Sequence, residues 1–210
     1  MSADDSASRK ILLVFAGALA LILGLVAALQ LGTPARIELS SGTLLKTPRP
    51  LPELRLLGDD GAAYERQRWE GHWTLVFPGF TSCPDICPTT LALLKAVDAR
   101  LGERAARLQV LLFSVDPERD TPERLRDYTR YFGPRFAGIT APQPDDLKQA
   151  AQALGVAYAK VPGATPDSYT MDHSAALILV NPRGEIAGYL TPPFQVDALV
   201  ADLERLLDSP

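Results

Sequence analysis

Apolar positions in this chain fall into runs of two lengths. The longest, 11–29 (ILLVFAGALALILGLVAAL), carries no charge and is followed by Gln30 and Leu31. At about 1.5 Å per residue it covers about 30 Å, the thickness of a hydrocarbon core, so 11–31 is expected to form a membrane-spanning helix. A signal peptide cleaved near Ala27-Ala28-Leu29 is the rival, but the run exceeds the roughly 7 to 15 residues of a signal core, which favours a retained anchor. Arg9 and Lys10 flank one end while Arg36, Lys46 and Arg49 follow the other, so the basic residues alone do not fix the orientation. The short N-terminal tail, and the lack of a second run of this length, place the rest of the chain on one side of the membrane, taken as the outer one.

The later runs are short and alternate between strand and helix periods. WTLVF at 73–77 predicts a buried strand, and helical spacing takes over from Pro84 to Leu101. LQVLLFSV at 108–115 predicts a second strand. A helix over 121–131 follows, with Asp120 or Thr121 as cap, Pro122 in its first position and Gly133 at its end. A short strand at 137–140, a helix at 144–154 and strands at 156–160 and 175–180 come next. Asn181-Pro182-Arg183-Gly184 is a turn into a strand at 185–190, and a helix over 194–207 sets Val196, Leu199, Val200, Leu203 and Leu206 on one face. Arg55-Leu56-Leu57 before Gly58-Asp59-Asp60-Gly61 predicts a small hairpin ahead of the main sheet. The continuous apolar second strand implies parallel neighbours covered on both faces. The expected fold is α/β: a thioredoxin-like mixed sheet flanked by helices, preceded by one N-terminal transmembrane helix. Residues 133–171, with five prolines, are a long insert for such a fold.

Four segments result. Residues 1–10 are a polar, disordered cytoplasmic tail, and 11–31 are the anchor. Residues 32–52, with Pro34, Pro48, Pro50 and Pro52, are a tether, and 53–210 are the folded domain. The 21 basic and 25 acidic side chains give a net charge of -4. No basic run is large enough to neutralise several phosphates, which excludes nucleic acid as a partner.

Chemistry is concentrated in very few residues. The only two cysteines, Cys83 and Cys87, sit in TSCPDICP at 81–88, where a strand hands over to a helix. A helix N-terminus favours thiolate over thiol, and four residues of helical separation would return both sulfurs to one face. The pair is therefore a redox couple, a thiolate clamp for a metal, or both in turn. Three residues separate the cysteines, against two in ordinary disulfide oxidoreductases. Pro84 suits a first helical turn, whereas Pro88 should disturb the helix just beyond Cys87. The only histidines are His72 and His173. His72 precedes the first core strand, about 20 Å from the cysteines, and is read as a surface residue. His173 lies just before the strand at 175–180, and in a thioredoxin-like layout the loop leading into that strand packs on the cysteine turn. A Cys, Cys, His set is soft and suits copper as Cu(I) or Cu(II). Zinc is the rival, with Asp85 or Asp172 as a further ligand, and a plain disulfide with His173 packed nearby is the alternative without metal. Asp116, at the carboxyl end of the second core strand, Asp85 and Asp172 are candidates for orienting the ligands, and a capping or turn role suits Asp116 equally. Tyr169 and Met171 are expected to pack the loop.

Three stretches, GFTSCPDICPTTL at 79–91, SVDPERDTPERLRDY at 114–128 and DHSAALILVNPRGEIAGYL at 172–190, resemble the SCO/SenC family over about 50–208. That family comprises membrane-anchored, thioredoxin-like copper proteins that assist assembly of the CuA centre of cytochrome c oxidase. The resemblance implies Cys83, Cys87 and His173 as copper ligands. It also implies the CuA-bearing oxidase subunit as partner, with an upstream copper donor or thiol reductant. The location it implies is the inner membrane, single-pass, with the domain in the periplasm. A membrane-tethered thiol-disulfide reductase, with Cys83 attacking and Cys87 resolving, is the alternative activity. One position departs from the pattern: Pro78 stands where relatives commonly have an aromatic residue, and strand pairing is expected to stop at Phe77 or to bulge there.

Overall fold

The computed structural model describes residues 13, 15–26, 37–165 and 168–209. In the N-terminal unit, residues 13 and 15–26 are helical with exposed apolar side chains. Among the described residues no helix is long and apolar enough to cross a membrane. The expected tail, residues 11, 12, 14 and 27–31 of the expected anchor, and 32–36 of the expected tether lie outside the described residues.

The second unit is built on a seven-stranded mixed sheet in the order β1-β9-β8-β3-β4-β5-β2. Its centre is β3 (Trp73–Gly79), flanked by β4 (Leu108–Ser114) on one side and β8 (Leu177–Val180) on the other. These strands are buried along almost their whole length, as expected of central strands covered on both faces. β3, β4 and β5 (Phe136–Thr140) are parallel. Helices α1 (Ile86–Leu101) and α2 (Pro122–Arg130) make the crossovers between them. α3 (Pro144–Leu154) follows β5, and α4 (Val196–Leu207) ends the fold and packs on α1. In α1, Leu91, Leu94, Val97 and Leu101 recur at helical spacing and are buried. Thr121 caps α2 by accepting from the Arg124 N–H at 3.3 Å, with Pro122 in the first position, as the sequence predicts.

Several expectations need correction. Residues Gly42–Pro50, expected to be tether, form the edge strand β1, antiparallel to β9 (Glu185–Leu190), with an irregularity between Leu44 and Arg49. The prolines that suggest a tether are tolerated because an edge strand leaves one side unpaired. β2 (Leu57–Gly58) does not stop at a local hairpin with Ala63, and closes the opposite edge of the main sheet against β5. The insert carries its own ribbon, β6 (Tyr158–Pro162) paired with β7 (Tyr169–His173), so His173 ends a strand that the sequence pattern does not announce.

β3 continues through Pro78, paired with Phe113, to Gly79, paired with Ser114, so pairing with β4 does not stop at Phe77. Backbone groups alternate sides along a strand. Gly79 O accepts from Val115 N–H at 2.9 Å on the β4 side, so Pro78 faces the β8 side, where pairing has already ended at Val76. The missing N–H therefore falls where no acceptor is lost.

Candidate metal centre

The sheet gathers three chain segments at one end. β3 exits into the cysteine loop and β4 into the loop at 115–121. β8 runs antiparallel to β3, with Ile178 opposite Val76, so its start lies beside the end of β3. His173, four residues before Leu177, is thereby carried to the cysteines.

α1 starts at Ile86 rather than Pro84, with Asp85 as its cap residue and Thr89 N–H donating to Asp85 O at 3.1 Å. Cys83 thus precedes the helix and Cys87 lies in its first turn. Pro88 also falls within that first turn, where an N–H has no helical acceptor, so it leaves the helix intact. The Cys87 N–H donates to Cys83 Sγ at 3.4 Å, which holds the two sulfurs on one side of the turn. Both cysteines are unpaired, Cys83 half-buried and Cys87 fully buried. Burial pushes the Cys87 thiol up, well above its ordinary range.

Cys87 Sγ lies 3.8 Å from His173 Nε2. His173 Nδ1 is 2.9 Å from the Ser174 carbonyl, which can only accept, so Nδ1 carries the proton and a neutral ring turns the Nε2 lone pair toward Cys87. Phe77 and Phe80 meet the imidazole edge to face, with centroids at 6.3 and 6.1 Å. Two thiols and a bare imidazole nitrogen are a donor set that fits a soft metal. Among the described residues, no three Cys, His, Asp or Glu side chains are already closed around a common metal position. Cys87 and His173 face each other, with Cys83 alongside.

The three aspartates stand apart from the imidazole's bonded nitrogen. Asp85 is exposed and accepts from the Thr89 hydroxyl at 3.3 Å. Asp172 is exposed on β7. Asp116, 2% exposed, accepts from the Tyr169 hydroxyl at 2.9 Å and pairs with Arg119. Burial and Asp116 together push the Tyr169 phenol up to about 12, so it remains a donor. Met171 packs in the core, and His72, half-buried, meets Gln109 Oε1 at 2.9 Å at the far end of β3.

The cysteine loop hangs on a residue to which spacing assigns only a capping role. Asp120, fully buried, accepts from the Thr81 N–H and hydroxyl and, at 2.6 Å, from Ser114 Oγ. Arg124 reaches from α2 to Thr81 Oγ1 at 2.7 Å and Ser82 Oγ at 3.1 Å. Burial raises the Asp120 carboxyl despite those donors. The sequence signal is an acid shortly past the end of β4, six residues after Ser114, but Thr81 lies 39 residues away and no pattern pairs it with Asp120.

The chain is similar to known proteins in sequence and fold. The SCO1/SenC family model matches residues 46–208. A protein of Stutzerimonas stutzeri named for copper binding is 34% identical over 184 residues, covering 87% of this chain and 89% of that protein. The solution structure of apo Sco1 from Thermus thermophilus superposes with a TM-score of 0.70 at 35% identity, over 82% of this chain and 99% of that one. The copper-bound crystal structure of ScoI from Arabidopsis thaliana superposes with a TM-score of 0.69 at 30% identity, over 75% and 98%.

Proposed function

The chain belongs to the SCO1/SenC family, and from that premise we propose that it is a copper-binding assembly factor. It takes one copper ion on Cys83 Sγ, Cys87 Sγ and His173 Nε2 and delivers it to the CuA-bearing subunit of a cytochrome c oxidase. The observation that carries this reading is the approach of His173 Nε2, its proton held on Nδ1 by Ser174, to Cys87 Sγ at 3.8 Å. Thiolates suit Cu(I) and the imidazole extends the site to Cu(II). Loading requires both thiols to lose their protons and Cys83 to turn toward the Cys87–His173 pair. Unloading follows as acceptor ligands replace these donors one at a time. Residues 11–31 anchor the protein in the inner membrane, with the domain in the periplasm, where an upstream donor supplies the metal.

A second reading rests on the unequal burial of two unpaired cysteines. The Cys83 thiolate attacks an acceptor disulfide, forming a mixed disulfide and releasing one acceptor thiolate. Cys87 then attacks Cys83 Sγ, releasing the second, so the acceptor gains two electrons and this chain ends as a Cys83–Cys87 disulfide.

Anaerobic titration of the reduced full chain in detergent with Cu(I) and Cu(II), repeated on His173→Ala, decides the first reading. One equivalent bound, and weaker retention of Cu(II) in the variant, are expected. Equal affinity in both forms removes His173 from the site. Oxidase assembly that survives in His173→Ala after copper binding is lost would leave the reductase reading in its place.

A further inference from the structure

His173 does not sit on the main sheet. It ends the β6–β7 ribbon, and its distance from Cys87 depends on what fastens that ribbon to the cysteine end of the fold. Besides Met171, which packs in the core, the fastening is a small charged cluster in the loop after β4. The Arg119 guanidinium pairs through Nε with the buried Asp116 carboxylate, and its Nη1 donates to the Tyr169 carbonyl at 3.1 Å. It also lies 3.8 Å from the Tyr169 ring centroid. Asp116 in turn accepts from the Tyr169 hydroxyl at 2.9 Å, so Tyr169 is held by its backbone, its ring and its hydroxyl. β6 is tied to the same loop, with Lys160 Nζ 2.7 Å from Glu118 and 3.9 Å from the Tyr169 centroid. Arg119 also lies 5.6 Å from the ring of Phe80, which meets His173 edge to face on its other contact.

We propose that Arg119 and Tyr169 are positioning residues for His173, a latch that presses the ribbon onto the cysteine loop and so sets whether the site offers three donors or only the two sulfurs. This rests on the copper-site reading above. With the latch closed, the imidazole completes a site able to keep Cu(II). With it open, β7 lifts, His173 withdraws, and the two thiolates remain as a Cu(I) site. Closure of the latch thus couples the ribbon to the oxidation state the site retains. The geometry suits this role because every tie is made to β6 or β7 and none to His173 itself, leaving the ring free to bind metal.

The test uses the reduced full chain in detergent, as wild type, Arg119→Ala, Arg119→Lys and Tyr169→Phe. The first readout needs no copper: nuclear Overhauser contacts between the His173 ring and the Phe77 and Phe80 rings. They are expected in wild type, absent in Arg119→Ala, and weakened in Tyr169→Phe, which loses only the hydroxyl's bonds to Asp116 and Glu118. Arg119→Lys, which keeps the charge without the fork, is expected to recover them in part. The second readout is copper. Arg119→Ala should lose nitrogen hyperfine coupling from Cu(II) and weaken Cu(II) binding about tenfold or more, while Cu(I) affinity holds within about threefold. In a His173→Ala background, Arg119→Ala should change Cu(II) affinity by less than about twofold, because the latch acts only through that ring. Ring contacts that persist in Arg119→Ala, or equal losses in the His173→Ala background, overturn the latch. Wild type that binds no copper through sulfur and nitrogen overturns the copper reading instead, and the ring contacts still decide the latch.

Discussion

Cys87 Sγ and His173 Nε2 stand 3.8 Å apart although they lie 86 positions apart in the chain. The meeting follows from strand direction. β3 points its exit at the same end of the sheet at which β8, antiparallel to it, begins. Cys87 is fixed by the first turn of α1 and by burial, whereas His173 is fixed by a ribbon and by one hydrogen bond to its neighbour's carbonyl. One donor of the site is rigid and the other rides on a separable element.

The first prediction concerns which sulfur reacts first. Cys83 is half-buried, while Cys87 is fully buried with its thiol pushed above the ordinary range by desolvation. Thiolate is the reacting species, so iodoacetamide at about pH 8 should label Cys83 at least about tenfold faster than Cys87. Peptide mass spectrometry of the reduced protein at short times reads the ratio. Equal labelling would remove the distinction between attacking and resolving cysteine, and faster labelling of Cys87 would reverse it.

Gly79 supplies the second. A Cβ built on it would lie 2.9 Å from Leu112 Cδ1, 3.2 Å from Cys87 Sγ and 3.3 Å from Phe77 Cε1, so this glycine is needed for space behind the sulfur. Gly79→Ala should displace Leu112 or Cys87, cost about 1–3 kcal/mol in urea unfolding, and weaken copper retention about tenfold. A variant as stable and as retentive as wild type would show that the core behind Cys87 can yield freely.

The centre of the fold was legible because its physics is local. Uninterrupted apolar strands at 73–77 and 108–115, and helices marked by Thr121-Pro122 and by the spacing Leu199, Val200, Leu203, stand close to where the pattern puts them. The rarity of Cys and His made the site legible too. What stayed hidden was set by partners distant in sequence. β1 looks like a tether because its prolines are harmless only at a sheet edge. β6 overlaps the strand expected at 156–160, but its partner β7 has exposed positions and no apolar alternation strong enough to announce it. Asp120 looks like a cap because Thr81, the loop residue it holds, lies 39 residues away.

The third prediction tests the anchoring of β1. Asp202 on α4 is fully buried and accepts from Ser40 N–H at 3.0 Å, Ser41 N–H at 2.7 Å and the Ser40 hydroxyl at 3.1 Å. Asp202→Ala would remove the carboxylate that holds the Ser40 and Ser41 N–H groups at this partly buried edge. A loss of about 2–3 kcal/mol in unfolding free energy is expected, with faster amide exchange at Thr43 and Leu44 than at Val76. Unchanged exchange in β1 would show that its ladder with β9 holds it unaided.

Asp202 and Asp120 should answer acid in opposite directions. Burial raises the Asp202 carboxyl, but the hydrogen bonds from Ser40 and Ser41 outweigh it and hold the folded value below the ordinary 3.8. The unfolded chain then binds the proton more tightly, so Asp202 contributes stability that is complete above about pH 4 and is lost as pH falls through the folded value. At Asp120, burial outweighs the bonds from Ser114 and Thr81, and the folded value lies above 3.8. Here the folded chain binds the proton more tightly, so the contribution is complete below about pH 4 and is lost as pH rises through the folded value. Urea unfolding at about pH 7, 4 and 2.5 should therefore show the deficit of Asp202→Asn against wild type holding down to about pH 4 and shrinking below it. Asp120→Asn should compare best with wild type at neutral pH and worse toward acid, because wild type alone regains stability on protonation. Parallel pH profiles for wild type and Asp120→Asn would mean that the Thr81 and Ser114 donors fully offset burial at this carboxyl, so that the cysteine loop hangs on a charge already compensated.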